Sequence, residues 1–244
     1  MRLGVNLDHV CTLRQARYKG EEWAPFAEPR LLEAALAAER AGAWQITVHL
    51  REDRRHLQDR DFKVLRRAVK TRLNLEMALA REVVELAQEV RPDRITLVPE
   101  RRQEVTTEGG LDVVGKLPRV REVAARFLRL GIEVSCFVAP DRRQVMASWL
   151  AGANSVELHT GAYARALTPS RKRRELRRLR SAAELATTGG LAVYAGHGLT
   201  AENLRPVARI PEVEELNIGH SLISRSLFLG LPSAIAELRK AMGA

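Results

Sequence analysis

The chain has 244 residues, 45% of them hydrophobic, and a formal net charge of +10 at pH 7. Two cysteines cannot form a disulfide framework and no CxxC pair occurs, which fits a reducing compartment. The N-terminus lacks the apolar region of a secretory signal, and no apolar run approaches the roughly 20 residues that span a bilayer, so we expect a cytoplasmic protein with no membrane partner.

Short apolar runs recur along the chain and predict eight β-strands. They cover residues 3–7, 45–50, 73–77, 94–98, 132–138, 154–158, 191–195 and 213–218. Most of the segments between them have helical spacing, as in residues 28–43, where apolar side chains share one helix face. Several of these helices meet the next strand through glycine, as at Gly42 and Gly131, which is typical of helix C-termini.

Strand and helix alternate eight times, which predicts parallel strands joined by right-handed crossovers. Eight such units close into a (β/α)8 TIM barrel, so we expect an α/β fold with one catalytic domain over residues 1–244. An open doubly wound sheet is the alternative. The chain has no GxGxxG after the first strand and no GxxxxGK[ST], the nucleotide signatures usual in such sheets.

All the histidines fall at, or just beyond, the C-terminal end of a predicted strand. They are His9, His49, His56, His159, His197 and His220. For any single histidine, a structural hydrogen-bonding role is the ordinary interpretation. In a barrel, however, these strand ends form one mouth, where activity resides, so the convergence favours a functional site.

Carboxylates occur at the same strand ends. Asp8 follows the first strand, Glu76 interrupts the apolar run of the third, and Glu157 ends the sixth. An acidic side chain in a buried strand is costly unless it is paired or functional. Glu157 is equally well explained as a paired structural ion, whereas Glu76 is the stronger catalytic candidate.

Glycines in the last two strand-to-helix loops indicate a phosphate site. "AGHG" at 195–198 follows the seventh strand, and Gly219 with His220 follows the eighth. Barrels frequently bind phosphate on these loops and at a short helix N-terminus, although a lone Gly-His pair is better explained by a tight turn. A second anion site could form from Arg51, His56 and the hydroxyls of Thr106 and Thr107.

The missing signatures narrow the chemistry. The sequence has no HExxH, no cysteine-rich cluster and no GxSxG elbow, and no lysine lies at a predicted strand end. The remaining prediction is acid–base catalysis by histidine and glutamate on phosphorylated substrates.

Seven segments, read in order, resemble the pyridoxine 5'-phosphate synthase family. They are "GVNLDHVCTLRQAR", "ITVHLREDRRHLQDRD", "TRLNLEMA", "LVPERRQEVTTEGGLDV", "VELHTGAYA", "AGHGLT" and "ELNIGH", and together they extend from residue 4 to residue 220. The resemblance implies condensation of 3-amino-2-oxopropyl phosphate with 1-deoxy-D-xylulose 5-phosphate to give pyridoxine 5'-phosphate, phosphate and water. It also implies no cofactor and no metal, a homo-octamer, and helices beyond the eight of the barrel.

The resemblance also implies roles for individual residues. His49 and Glu76 would accept protons, His197 would donate one, and Glu157 would stabilise the transition state. The residues implied to hold the amino-ketone phosphate are Asn6, Arg17, Gly198, Gly219 and His220. Those implied to hold the deoxyxylulose phosphate are Asp8, His9, Arg51, His56 and Thr106.

The chain departs from the family pattern in two places. Tyr194 stands where we expect Asn, which would alter the mouth, and residues 17–29 replace a shorter segment near Arg17. That segment is predicted either as oligomer contact or as a locally packed loop. The polar loop 99–118 is long enough to act as a lid.

Two other functions compete with this interpretation. Nucleic-acid binding rests on the charge and on "RKRRELRRLR" at 171–180, but an apolar stripe along that helix predicts that the arginines line a solvated outer face. A sugar-phosphate isomerase would share the phosphate loops but would need no second anion site at Arg51 and His56. We therefore expect small phosphorylated substrates and no nucleic acid.

Overall fold

The eight predicted strands form a closed parallel barrel in the computed structural model, which describes residues 1–100 and 109–243. Neighbouring strands pair in sequence order, and the eighth pairs with the first. The strands are β1 (Arg2–Asn6), β2 (Gln45–Leu50), β3 (Arg72–Met77), β4 (Arg94–Leu97), β5 (Glu133–Val138), β6 (Ser155–His159), β7 (Ala192–Gly196) and β8 (Val213–Ile218). The predicted TIM barrel is thus confirmed, with every strand end within one residue of its expected position.

Helices surround the barrel, and the described ranges contain three more than the eight of the basic unit. They are α1 (Asp8–Tyr18), α2 (Leu31–Arg40), α3 (Asp59–Ala68), α4 (Arg81–Val90), α5 (Leu117–Leu128), α6 (Arg142–Leu150), α7 (Gly161–Ala164), α8 (Pro169–Thr188), α9 (Arg205–Ala208), α10 (His220–Leu229) and α11 (Leu231–Met242). The connections that follow β1, β6 and β8 each hold two helices. The expected extra helices are therefore present.

Alternate strand residues differ sharply in polarity because a strand presents successive side chains to opposite faces. In β2, Ile46, Val48 and Leu50 are fully buried in the apolar layer shared with the helices. Gln45 and Thr47 occupy the other face, where Gln45 hydrogen-bonds to Glu215 of β8. The barrel interior is therefore largely polar, while the hydrophobic core lies between barrel and helices.

A buried ion network fills the barrel below its C-terminal ends. The guanidinium of Arg94 pairs with Glu215 at 2.7 Å and with Glu133 at 2.9 Å, and its Cζ lies 3.9 Å from the centre of the Tyr194 ring. The Tyr194 hydroxyl donates to Glu133 at 2.8 Å. Burial of charge in this way is tolerated only when the partners are paired. Tyr194 thus packs in the barrel interior and does not line the mouth cavity, contrary to the expected effect on the mouth.

The arginine-rich segment lies on α8, as its apolar stripe predicts. Leu179, Ala183 and Ala186 are buried, whereas most of the arginines of this helix are exposed. The buried carboxylate of Glu175 receives hydrogen bonds from Arg174 and Arg178. None of the helices in the described ranges has both the length and the apolar character needed to cross a membrane.

Candidate active site

A cavity of about 460 Å³ opens at the C-terminal ends of the strands. Twelve of the fourteen residues that the sequence singled out line it, among them residues from β1, β2, β3, β6 and the loops after β7 and β8. They are Asn6, Asp8, His9, His49, Arg51, His56, Glu76, Glu157, His197, Gly198, Gly219 and His220. Closure of the barrel therefore brings together side chains that are more than 200 residues apart in the chain.

Two of the fourteen are not among the lining residues. Arg17 is exposed in the last turn of α1 and does not line the cavity. Thr106 lies within 101–108, outside the described residues, as does Thr107. The predicted lid over 99–118 includes the same residues and stays a prediction.

A chain of hydrogen bonds joins β1, β2 and β3 at the mouth. Asn6 donates from Nδ2 to Asp8 at 3.0 Å and to Glu76 at 3.4 Å. The other carboxylate oxygen of Asp8 accepts from the backbone N–H of His49 at 2.7 Å. Asp8 thus fixes the end of β2 at the residue where His49 projects into the cavity.

The ring of His49 is buried and paired with a carboxylate. Its Nε2 lies 3.0 Å from Oε1 of Glu100, which follows β4, and the other oxygen of Glu100 accepts from the N–H of Glu52 at 3.1 Å. Burial opposes the charge on Glu100, but these hydrogen bonds, together with His49 and Arg51, hold its pKa below the ordinary value. An ionised Glu100 makes Nε2 the protonated nitrogen, which leaves the Nδ1 lone pair of a neutral His49 ring available as a base.

Two carboxyl groups, the partly exposed Glu76 and the buried Glu157, share the floor of the cavity. Burial first, then the charges of Asp8 and Glu157, raises the pKa of Glu76 well above its ordinary value. Burial, and then the charge of Glu215, raises the pKa of Glu157 to about 7, although Arg94 and a hydrogen bond from Asn217 oppose this rise. Glu157 therefore exchanges its proton near neutral pH, and both groups bind protons more tightly than ordinary carboxylates.

The carboxylate of Glu157 lies against the backbone of the neighbouring strand. Asn217 donates to Oε2 of Glu157 at 2.9 Å, and the other oxygen, Oε1, lies where a Cβ on Gly196 would be. Only a residue without a side chain leaves this space open. Gly196 is thus required by the position of Glu157, and the first glycine of "AGHG" has a packing role.

One end of the cavity is formed by the loops after β7 and β8. Gly198 is in the left-handed region at φ +79°, and Gly219 immediately precedes α10, whose first residue is His220. No side chain of the described residues caps this helix, and its first residues line the cavity, so its first backbone N–H groups are available to a ligand there. The Ser221 hydroxyl donates to the Leu199 carbonyl at 2.5 Å and ties the two loops together. This end can bind an anion.

A second part of the cavity wall carries cationic and imidazole groups at and after the end of β2. Arg51 is only 2% exposed, and its Nε lies 3.6 Å from Asp53. His56 accepts at Nδ1 from the Leu57 N–H at 2.9 Å, which places its ring proton on Nε2. Burial first, and the charges of His49 and Arg51 as well, lowers the pKa of His56 despite the charges of Asp8 and Asp53. A planar guanidinium with a neutral imidazole donor suits a phosphate or a sugar hydroxyl.

Three side chains on the floor could together hold a cation. Asp8, His49 and Glu76 each offer one donor atom, and these atoms all lie within 4.8 Å of one another. Two carboxylates and one imidazole are a set of ligands that several divalent metals accept. The same three groups are already hydrogen-bonded to each other or to neighbours, as an acid–base site also requires.

Comparison with known proteins identifies the family. The model of the family described as "Pyridoxal phosphate biosynthesis protein PdxJ" matches residues 3–244. The chain belongs to the PdxJ family. Pyridoxine 5'-phosphate synthase from Synechococcus sp. is 55% identical over 243 residues, which cover 100% of this chain and 99% of that protein. The enzyme of the same name from Magnetococcus marinus is 51% identical over 240 residues, which cover 98% and 96%. The family resemblance found in the sequence is confirmed, and this PdxJ-family chain is an enzyme.

Solved structures share the fold of this PdxJ-family barrel at low sequence identity. Phosphoribosyl anthranilate isomerase from Thermus thermophilus is 17% identical with a TM-score of 0.61, covering 100% of this chain and 98% of that one. Thiamine phosphate pyrophosphorylase from Pyrococcus furiosus has the same identity and TM-score and covers 99% and 95%. At this identity the likeness shows the barrel fold alone.

Sequence reasoning missed several residues of the PdxJ-family mouth. Glu100 contacts His49, Asn217 contacts Glu157, and Thr12 and Ser221 line the cavity. Asn217 alternates with apolar residues in β8. It could therefore have been identified by the same pattern as Glu76, a polar residue that interrupts an apolar strand. Glu100 lies three residues after β4. Its contact with His49 depends on the path of the chain after β4, which a periodic pattern in the sequence does not indicate.

Proposed function

We propose that this mouth condenses 3-amino-2-oxopropyl phosphate with 1-deoxy-D-xylulose 5-phosphate to give pyridoxine 5'-phosphate, phosphate and water, in one catalytic domain over residues 1–244. One observation carries the proposal. The N-terminus of α10, which can bind an anion, and the buried Arg51 line the same cavity, together with several histidines and glutamates. Two phosphorylated substrates can therefore meet with their reacting carbons over acid–base groups.

Proton acceptance is assigned to His49 and Glu76. Condensing an amine with a ketone and closing a ring removes protons from nitrogen and carbon. His49 is suited to this because ionised Glu100 holds Nε2 and leaves Nδ1 free to accept. The pKa of Glu76 lies well above its ordinary value through burial and neighbouring charge, so its ionised form is a stronger base than an exposed carboxylate.

Proton donation is assigned to His197 and electrostatic stabilisation to Glu157. Departing hydroxyl groups need a proton, and His197 lines the cavity beside the loop that would hold the amino-ketone phosphate. An iminium-like transition state carries positive charge, which the Glu157 carboxylate below it would stabilise. Asn217 fixes that carboxylate by the 2.9 Å hydrogen bond.

The substrate-binding assignments are those that the family resemblance implies. The end with the amino-ketone phosphate is assigned to Asn6, Arg17, Gly198, Gly219 and His220. The end with the deoxyxylulose phosphate is assigned to Asp8, His9, Arg51, His56 and Thr106. The exposed position of Arg17 on α1 means that it would have to reach the phosphate from the rim.

We further propose a homo-octamer in the cytoplasm that uses neither cofactor nor metal. Large apolar side chains on the outer surface support self-association, since Phe228 is 80% and Leu227 70% exposed on α10. Cys11 and Cys136 are both buried and unpaired, which agrees with a reducing compartment. Light scattering after size exclusion would measure the subunit number.

The deciding experiment mixes the protein with both substrates and follows pyridoxine 5'-phosphate and free phosphate together, with chelator and without added metal. Equal release of the two, abolished in His49→Ala and in Glu76→Ala, is the expected result. Phosphate without the ring product would reduce the proposal to a half-reaction. If folded protein releases neither pyridoxine 5'-phosphate nor free phosphate, the result contradicts the proposal and favours a sugar-phosphate isomerisation.

A further inference from the structure

His159 ends β6 directly behind the cavity and has no part in the function proposed above. It is 7% exposed and is not one of the residues that line the mouth. Its ring contacts His197, with ring centroids 4.8 Å apart and an interplanar angle of 43°. The two imidazoles therefore form a pair in which only His197 lines the cavity.

The surroundings hold the His159 ring in one place. Phe137 packs against it edge to face at a centroid distance of 5.3 Å. A Cβ on Gly161 would lie 2.7 Å from both Cε1 and Nε2 of His159 and 3.2 Å from Cδ2 of His197. The bare backbone of Gly161 is thus what lets the two rings lie side by side.

That nitrogen has no hydrogen-bond partner among the described residues although it is buried. Burial first, then the charges of His197 and Arg165, lowers the pKa of His159 to about 4. The ring is therefore neutral near pH 7 and does not compete with His197 for a proton. Because a buried unpaired N–H costs more than a buried lone pair, Nε2 is best described as an acceptor lone pair.

The segment that carries His159 also holds the backbone of His197. The Thr160 hydroxyl contacts the carbonyls of Gly196 at 2.8 Å and of His197 at 2.6 Å. His197 itself is in the left-handed region at φ +77°, which an L-residue adopts only when its neighbours enforce it. One short stretch after β6 thus fixes both the backbone and the ring of His197.

We propose that His159 is a positioning residue that stabilises the protonated, proton-donating form of His197 through its unpaired Nε2. The reacting atoms are touched by His197 alone. The assignment of His197 as donor comes from the proposed function, whereas the stabilisation of its protonated ring by His159 does not depend on which reaction follows.

Other charged or titratable groups lie around the two histidines and act on their protonation in the wild type and in variants alike. Arg165 opposes positive charge on His159, and within the cavity Glu157, Glu76 and His220 share the solvent space with His197. None of these is altered by a change at position 159. A shift in the titration of His197 in such a variant therefore reports the missing Nε2.

Three variants separate the acceptor from the ring that carries it. His159→Phe keeps the ring volume and loses both nitrogens. His159→Gln places an amide oxygen near the position of Nε2, and His159→Asn places its amide near Nδ1 instead. Histidine-labelled enzyme is titrated by NMR, with His197 assigned through its loss in His197→Gln, and kcat and KM are measured from pH 6 to pH 9.

The expected result is a His197 midpoint lowered by about one pH unit in His159→Phe and His159→Asn and restored in His159→Gln. Because the donor works only while protonated, kcat then falls by up to about tenfold at pH values above the His197 midpoint and approaches the wild-type value at pH values below it, with KM within twofold. An unmoved His197 midpoint in the first two variants, or a lowered one in His159→Gln, overturns the proposal. If the midpoint moves but kcat does not follow it, the stabilisation stands and the donor role of His197 fails.

Discussion

Glu100 and His49 are hydrogen-bonded at 3.0 Å, although His49 lies in β2 and Glu100 follows β4. The carboxylate is in turn held by the N–H of Glu52 at 3.1 Å, so it cannot turn away without losing two contacts. This pairing fixes which nitrogen of His49 carries the proton and how the ring faces the cavity. The base of the proposed reaction thus depends on a residue outside the predicted set.

Replacing Glu100 by Gln tests that dependence. The amide can still contact Nε2 but carries no charge to stabilise the imidazolium, so we expect kcat to fall on the order of 10-fold to 100-fold, within what a general base contributes. KM for both substrates should change little. Glu52→Gln, which alters an exposed carboxylate in the neighbouring loop, is the matched control. Wild-type kcat in Glu100→Gln would show that His49 works without this partner.

Replacing Gly196 by Ala tests the contact between β7 and Glu157. The new Cβ would occupy the position of Glu157 Oε1, so the carboxylate must move or the strands must separate. We expect a loss of about 1–3 kcal/mol in the free energy of unfolding, as for overpacked sites, together with a large loss of kcat. Both are measured on the same preparation by urea unfolding and product formation.

Gly189→Ala is the control for that substitution. Gly189 lies at the end of α8 at φ −79°. A Cβ added there would have its nearest contact with the Ala186 carbonyl oxygen at 3.4 Å, which is an ordinary distance. The stability and kcat of the Gly189→Ala variant should match those of the wild type. A Gly196→Ala enzyme that also matched the wild type would contradict the tight packing around Glu157.

The raised pKa of Glu157 predicts a pH-dependent cost in stability. Its pKa is about 7 when folded, against the ordinary 4.5, so the folded state binds the extra proton between these values and stability falls as pH rises through this window. Glu157→Gln removes this loss and keeps the hydrogen bond from Asn217. The free energy of unfolding of the variant, relative to that of the wild type, should therefore rise by about 2 kcal/mol on going from pH 5 to pH 8.

Urea unfolding of both proteins at the two pH values measures this difference. Glu184→Gln, an exposed position on α8, should show no such pH-dependent gain. The same Glu157→Gln protein should lose most of its activity, since the amide cannot stabilise positive charge. A gain that is equal at pH 5 and pH 8 would mean that Glu157 is not the titrating group.

Arg51 distinguishes the synthase from a barrel with one phosphate site. Its guanidinium is buried and lines the same cavity as the first residues of α10. Arg51→Ala should raise KM for 1-deoxy-D-xylulose 5-phosphate by a factor on the order of 10 to 100 and leave KM for the amino-ketone within about threefold, as loss of one charge-assisted contact implies. Arg180→Ala, on the exposed face of α8, is the control. Equal changes for both substrates would argue against separate phosphate ends.

The sequence alone determined the barrel and most of the candidate site. Apolar runs and helical spacing report burial directly, since a strand or helix needs its apolar side chains wherever the chain folds. Glu76 and Glu157 were visible because a charge inside an apolar run is costly without a purpose. His159 was also visible as a strand-end histidine, but nothing in its spacing told it apart from the five that line the cavity.

Only the tertiary structure decided which side chains touch. The bond between Glu100 and His49 and the close approach of Gly196 to Glu157 join separate strands, and their distances depend on the closure of the barrel. The same closure turned Tyr194 inward onto Arg94 and left Arg17 on the surface. Periodicity along the chain gives the face on which a residue lies. The partner that a residue meets on that face, and hence the proton affinity of the residue, is set by packing across the barrel.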